Sequence, residues 1–297
     1  MTPPLLQLEQ VRCSVAGATV LDNVTLCTTG DRVGLSGKTL GVRALLTGEA
    51  TLMSGQAMVL GQSLGEARKN CLFGCAVALS HVPKKWTIRR VLELAAEIGG
   101  RSVTDAASRA VAAADEIGEA ALLARRWSAA APIERALAAL ALGVVTDPQL
   151  LFVSPPLGVL SSDHCQRYGE ALTRATQDRK LLIEIARSPQ DSSEQSWIKS
   201  LTSICYVFDG RDTGSGEPLR PGRARYVLRV VGNAAEVEAA LQQVACTWPI
   251  HAPSDWSRGR CAFLVDVDRD ADGVADTGAL LDVCIRSALP ILELLPV

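Results

Sequence analysis

Three apolar stretches in the second half of the chain, Leu150 to Val153, Leu181 to Ile185 and Ile204 to Phe208, run without the polar alternation of a half-wet strand. A strand alternates when one face meets water and reads as a continuous apolar run when both faces are covered. The stretches therefore predict a parallel sheet wrapped by helices. Arg32 to Leu35 is a further short strand. Ser36-Gly37-Lys38-Thr39 follows it as a turn, and the apolar segment Leu40 to Leu46 closes as a helix at Gly48.

Around this core the chain divides. Residues 5 to 28 hold short alternating runs, Leu5 to Leu8, Val11 to Val15 and Val24 to Leu26, broken at Gly17 and Asp22-Asn23, which predicts a small antiparallel β subdomain. A helical subdomain spans about 86 to 145. Ile88, Val91, Leu92, Ala95 and Ile98 recur at amphipathic spacing, Ala106 to Leu123 is alanine-rich, and Ile133, Leu137, Leu140, Ala141 and Val144 share a face before Asp147-Pro148 breaks the helix. Residues 212 to 225 lie in a stretch rich in Gly, Pro, Arg and Asp and read as a linker. From 226 to 297 the order is strand, helix, an irregular Trp-Pro stretch, strand (Cys261 to Val267), helix, strand, which predicts a small C-terminal α+β domain of the split βαβ kind.

Composition narrows the function. With 297 residues, 48% of them hydrophobic, the chain can bury a full core and carry a second, smaller domain. Thirty basic against 32 acidic residues give a formal charge of −2, with no long run of either sign, which argues against nucleic acid as a partner. No apolar stretch reaches membrane-spanning length and Met1 leads into Thr-Pro-Pro, so a cytoplasmic protein is expected. Nine cysteines are scattered, with Cys71 and Cys75 the only close pair, and none has metal-ligand spacing; buried reduced thiols and no metal are expected.

Several segments resemble the ATP-binding subunits of ABC transporters. Leu21-Asp22-Asn23-Val24-Thr25-Leu26, Val33-Gly34-Leu35, Gly37-Lys38-Thr39 and Leu45-Leu46-Thr47-Gly48 resemble the family's opening segments. Trp86-Thr87-Ile88-Arg89 is similar to the lead into its helical subdomain, Asp147-Pro148-Gln149-Leu150-Leu151-Phe152-Val153 to the approach to its Walker B strand, and Val207-Phe208-Asp209-Gly210-Arg211 to its closing strand. The likeness spans residues 5 to about 211 and implies an ABC-ATPase-like domain over 1–211, with a P-loop-NTPase-like parallel sheet. Ala288 to Pro296 resembles the extension of members that serve drug, polysaccharide and gliding-motility exporters.

The residues depart from the family where its chemistry lies. A P-loop, G-x-x-x-x-G-K-[ST], wraps phosphates with successive N–H groups and reaches the outer ones with lysine. Gly34-Leu35-Ser36-Gly37-Lys38-Thr39 keeps Lys38 and Thr39 but has only two residues between its glycines. The resemblance puts adenine's aromatic partner at Val15, which has no stacking face. The Asp-Glu pair that manages magnesium and water falls on Ser154-Pro155-Pro156, and a later aspartate on Ser161. The signature segment, which offers a hydroxyl and free N–H groups to the γ-phosphate held by the opposite subunit, falls on Ala130-Ala131-Pro132-Ile133-Glu134. Arg187 takes the place of the γ-phosphate histidine, where it could touch phosphate or form a surface salt bridge, and the glutamine loop shrinks to Ser80-His81. Separately, Asp268-Arg269-Asp270-Ala271-Asp272-Gly273, with Asp276 beyond, opens like a calcium loop. Ala279 stands where such a loop has its bidentate glutamate, so a solvated turn with Asp276 or Thr277 capping the next helix is expected.

These departures lead to the expectation of a catalytically degenerate ABC-ATPase-like subunit, a non-hydrolysing partner, scaffold or regulator of an export or motility-type membrane complex. No catalytic residue and no cofactor is assigned; residual nucleotide contact falls to Gly34, Gly37, Lys38, Thr39 and Arg187. The implied partners are ABC-type membrane subunits, an active ATPase subunit, or both, in a homo- or heterodimer at the inner face of the membrane. The alternatives are a genuine export ATPase with an unusual site, which would take ATP and Mg²⁺, and a ligand- or calcium-responsive module built on the C-terminal domain.

Overall fold

The computed structural model describes residues 3–28, 30–79, 81–155, 160–185, 197–208, 212–216, 223–251, 259–269 and 275–296. β1 (Leu6–Val15) and β2 (Ala18–Cys27) form a hairpin. Ala16 (φ 49°) and Gly17 (φ 84°) turn left-handed between them, a turn whose twist matches that of the strands. β3 (Arg32–Gly37) leads into α1 (Leu40–Thr47), which stops at left-handed Gly48. β4 (Thr51–Val59) and β5 (Gln62–Ser63) complete a four-stranded antiparallel sheet in the order β2-β1-β4-β5. α2 (Leu64–Lys69), β6 (Phe73–Ala76), α3 (Ile88–Ile98), α4 (Val103–Glu116) and α5 (Pro132–Val144) follow. Then come β7 (Leu150–Val153), α6 (Ser162–Ala175), β8 (Lys180–Ile185) and β9 (Ser203–Phe208).

β9, β3, β8, β7 and β6 are parallel neighbours in that order. Leu150 and Phe152 pack with Leu6, Val24, Leu45 and Leu182 on one side of the sheet, whereas Leu151 and Val153 pack with Leu137, Leu172 and Ile183 on the other. Cover on both faces is why these strands do not alternate. The helical subdomain differs from its sequence pattern twice. Ile98, spaced to share the apolar face of α3, is 78% exposed: the helix buries Ile88, Leu92 and Ala96, spaced four apart, and at about 100° per residue Ile98 projects away from that line. α4 stops at Glu116 instead of running to Leu123: Gly118 takes φ 77° and Ala120–Ala124 is a short 3₁₀ helix.

The stretch read as a linker contains a strand. β10 (Asp212–Gly216) folds back antiparallel on β9, from Asp212 opposite Phe208 to Gly216 opposite Ile204, and residues 223–225 already belong to β11 (Arg223–Val231). The composition favours turns, but an open edge of β9 offers a ladder of unpaired groups, and pairing overrides weak local propensity. α7 (Ala234–Leu241), β12 (Cys246–His251), β13 (Arg260–Asp268), α8 (Gly278–Arg286) and β14 (Ile291–Pro296) follow. Trp248-Pro249, read as irregular, lies within β12. Pro249 sits where the strand passes from β13, paired through Pro249, to β10, paired from Ile250, so its missing N–H falls at a break in the ladder.

The result is one ten-stranded sheet in the order β14-β11-β13-β12-β10-β9-β3-β8-β7-β6. On one face of its C-terminal part, Leu228, Phe263 and Val265 pack against Val237 and Leu241 of α7 and Leu280 and Cys284 of α8. On the other face, Val227, Ala262 and Leu264 join the cluster that holds Ile204 and Tyr206. Cys13, Cys165, Cys205 and Cys284 are buried free thiols, whereas Cys27 and Cys246 are exposed, contrary to the expectation of uniform burial. Among the described residues no helix is long and apolar enough to cross a membrane.

Candidate functional site

Gly34 lies within β3, opposite Ile183 on one side and Ile204 on the other. A Cβ there would come within 2.7 Å of the Ile185 Cδ1, so its smallness serves strand packing. Gly37 ends the strand at φ 85°, with the position of a Cβ only 2.4 Å from the carbonyl oxygen of Val207. Lys38 and Thr39 alone connect β3 to α1. The Lys38 N–H donates to the Val207 carbonyl at 2.8 Å and the Thr39 N–H to the Gly37 carbonyl at 3.0 Å. In a phosphate-binding turn such amides face the ligand; here both meet carbonyls of the chain. Thr39 is 4% exposed, and the apolar Leu40 behind it is 53% exposed.

Beneath the turn lies Glu184, to which the sequence pattern assigned no role. It sits in β8 opposite Leu35 of β3 and is 5% exposed. The Thr39 hydroxyl donates to its Oε1. The Ser154 hydroxyl, at the exit of β7, donates to its Oε2 at 2.5 Å, and Arg43 Nη1 of α1 lies 3.4 Å from the same oxygen. A buried carboxylate is costly unless donors and a countercharge meet it, and these three groups supply both. The signal was present: a lone acidic residue inside an apolar central strand, two residues from Leu182 and so on its α1-facing side.

The remaining positions are distributed as follows. Val15 ends β1 in the hairpin and is half-buried. The Ser154 N–H donates to the Ala76 carbonyl at 3.0 Å, tying the end of β7 to β6. Ser161 precedes α6 with extended backbone and makes no side-chain bond to the helix amides. Ala131 occupies the cap of α5, Pro132 its first turn, and the Ala131 N–H donates to Glu134 Oε2 at 2.8 Å while Arg125 Nε lies 3.1 Å from Oε1. Only the glutamate half of a capping box is formed, since alanine has no acceptor. A carboxylate thus stands at the helix start to which the resemblance assigned a phosphate, and like charges repel. His81 is exposed between β6 and α3. Ser80, Arg187, Asp270 and Asp272 lie outside the described residues. Of the acidic C-terminal stretch, Asp268 accepts from Arg223 Nε at 2.8 Å and Asp276 Oδ1 from the Gly278 N–H at 3.0 Å, so Asp276, not Thr277, caps α8. Among the described residues no group of three or more His, Cys, Asp or Glu is placed to hold a metal.

The fold is that of the ATP-binding subunits of ABC transporters. One such solved structure, an ATP-binding subunit of an ABC transporter, superposes with a TM-score of 0.56 at 16% identity, covering 72% of this chain and 90% of the other. A second, cbiO1 from Clostridium perfringens, described as part of the ABC transporter complex cbiONQ, superposes with a TM-score of 0.57 at 12% identity, covering 73% of this chain and 89% of the other. No protein-family model and no curated protein sequence matches the chain.

Proposed function

We propose that this chain is a catalytically degenerate ABC-ATPase-like subunit, working as a non-hydrolysing partner, scaffold or regulator of an export or motility-type membrane complex. The observation that carries this reading is the β3–α1 turn, whose Lys38 and Thr39 amides bond to the carbonyls of Val207 and Gly37 instead of lying open to a phosphate. The described residues do not fit a magnesium nucleotide. The hydroxyl of Thr39 is engaged by Glu184, serine follows β7 in place of a carboxylate, and Val15 offers no stacking face. Electrostatic donors of this kind each account for roughly hundredfold or more in rate, and loss of several leaves background hydrolysis.

A fold of this kind remains useful without turnover, because fold and function are separable. In this reading its partners are ABC-type membrane subunits, an active ATPase subunit, or both, and it lies in the cytoplasm against the inner face of the membrane. The test is equilibrium binding of ATP to the purified chain, with and without magnesium, up to millimolar concentration, alongside a turnover assay. Absence of magnesium-dependent binding and of turnover is expected. Micromolar magnesium-dependent binding with hydrolysis would falsify the reading.

A further inference from the structure

We infer that Glu184 holds, from within the chain, the place that a divalent cation takes in nucleotide-binding members of this fold, so that the β3–α1 turn is latched shut without a ligand. The inference rests on the reading of the chain as non-hydrolysing. In working P-loop sites the cation bridges the Ser or Thr hydroxyl after the P-loop lysine and a carboxylate at the end of the Walker B strand. Here the corresponding hydroxyls belong to Thr39 and Ser154, and both donate to one carboxylate that arrives from the strand lying between β3 and β7.

Charge decides between a latch and a relocated metal site. A hard cation binds where several oxygens converge with surplus negative charge. Glu184 brings a single carboxylate, and Arg43, with Nη1 3.4 Å from Oε2, already balances it. A divalent ion entering here would meet the guanidinium at short range in a site whose carboxylate is 5% exposed, where repulsion is poorly screened. The hydroxyl hydrogens and the guanidinium together balance Glu184 here, as the ion balances the Walker B carboxylate elsewhere. They join the start of α1, the exit of β7 and the C-terminal end of β8 into one hydrogen-bonded unit.

The test is a pair of double-mutant cycles on the full chain, followed by urea unfolding, with Mn²⁺ titrated and read by electron paramagnetic resonance as a stand-in for Mg²⁺. One cycle combines Thr39→Val with Glu184→Met; the other combines Ser154→Ala with Glu184→Met. The Glu184→Met change leaves no side-chain oxygen to accept either hydroxyl. The second cycle uses a half-exposed serine, so a fold that rejects the buried Thr39→Val change leaves that cycle readable. A latch predicts that in each cycle the double variant loses less midpoint than the sum of its singles, and that the wild type leaves the Mn²⁺ signal unbound. Strictly additive losses, or Mn²⁺ bound by the wild type and released by Glu184→Met, overturn the latch. Magnesium-dependent ATP turnover by the wild type overturns the functional reading even when both cycles couple, so the two failures are told apart.

Discussion

Arg225 and Asp266 meet in a buried two-pronged ion pair, Nε to Oδ1 at 2.5 Å and Nη2 to Oδ2 at 2.6 Å, with side chains 1% and 3% exposed. The pair bridges β11 and β13, and it reaches further: Nη1 donates to the Tyr206 hydroxyl on β9 at 2.9 Å, and the guanidinium lies 4.7 Å from the Trp248 ring centre on β12. Burial by itself would lower the affinity of Arg225 for its proton. The bonds to Asp266 and Tyr206 outweigh it and hold the pKa above its ordinary value.

Asp266→Ala is therefore expected to cost about 3–5 kcal/mol, because it strands a buried cation, whereas Arg225→Met combined with Asp266→Leu should recover most of that loss. Urea unfolding followed by tryptophan fluorescence checks both. An unchanged midpoint in the single variant would remove the pair from the account of how the C-terminal strands join the core.

Gly37→Ala places a Cβ 2.4 Å from the Val207 oxygen at a backbone φ of 85°. A destabilisation of about 1–3 kcal/mol is expected from the strained backbone, before any clash is counted. Chemical denaturation measures it. A neutral outcome would mean that the turn can leave β9, and with it the hydrogen bond that closes Lys38.

At Gly74 the position of a Cβ is 1.8 Å from the Gly143 carbonyl oxygen, so α5 seats directly on the backbone of β6. Gly74→Ala must push helix and strand apart. The expected loss is about 1–3 kcal/mol or more, read as a lowered thermal midpoint.

Burial pushes the thiol of Cys75 up to about 12, against the opposing charge of Arg68, and that of Cys205 up to about 12, with Cys27 adding to the effect. A thiol exposed by unfolding ionises at about 8.5. The folded state thus keeps protons that the unfolded state gives up. The stabilising contribution is complete below the unfolded value and is lost as pH rises through the folded one. Stability should fall between about pH 9 and 12, with each thiol adding about 1.4 kcal/mol per pH unit to the slope. Cys75→Ala and Cys205→Ala should each flatten the alkaline limb of a urea-midpoint profile, and an unaltered limb would assign it to other groups.

The parallel core was legible because its strands are covered on both faces, and the β hairpin because Val11 to Val15 and Val24 to Leu26 alternate around Gly17. β10 and β12 were not: Asp-Thr-Gly-Ser-Gly carries little intrinsic strand preference, and in β12 Pro249 interrupts the otherwise strand-favouring Thr247, Trp248 and Ile250, so both are settled only by pairing beside β9 and β13. At the site, the missing carboxylate after Val153 and the hydroxyl-free start of α5 were visible in the residues. The cap supplied by Glu134 and the network around Glu184 were not, because each depends on a side chain meeting partners far away in the chain or across a helix turn.

Sequence alone determined the strand-turn-helix order at β3 and α1, the helices between 88 and 144, the two-faced burial of the central strands and the absence of an acidic pair after β7, since these follow from local pattern and residue identity. Only the tertiary structure decided that the C-terminal strands continue the core sheet and that Glu184 closes the turn at Thr39. The physical reason is that hydrogen bonds and ion pairs across sheets and turns act over a few ångströms, and which residues come within that range is set by the packing of the whole chain.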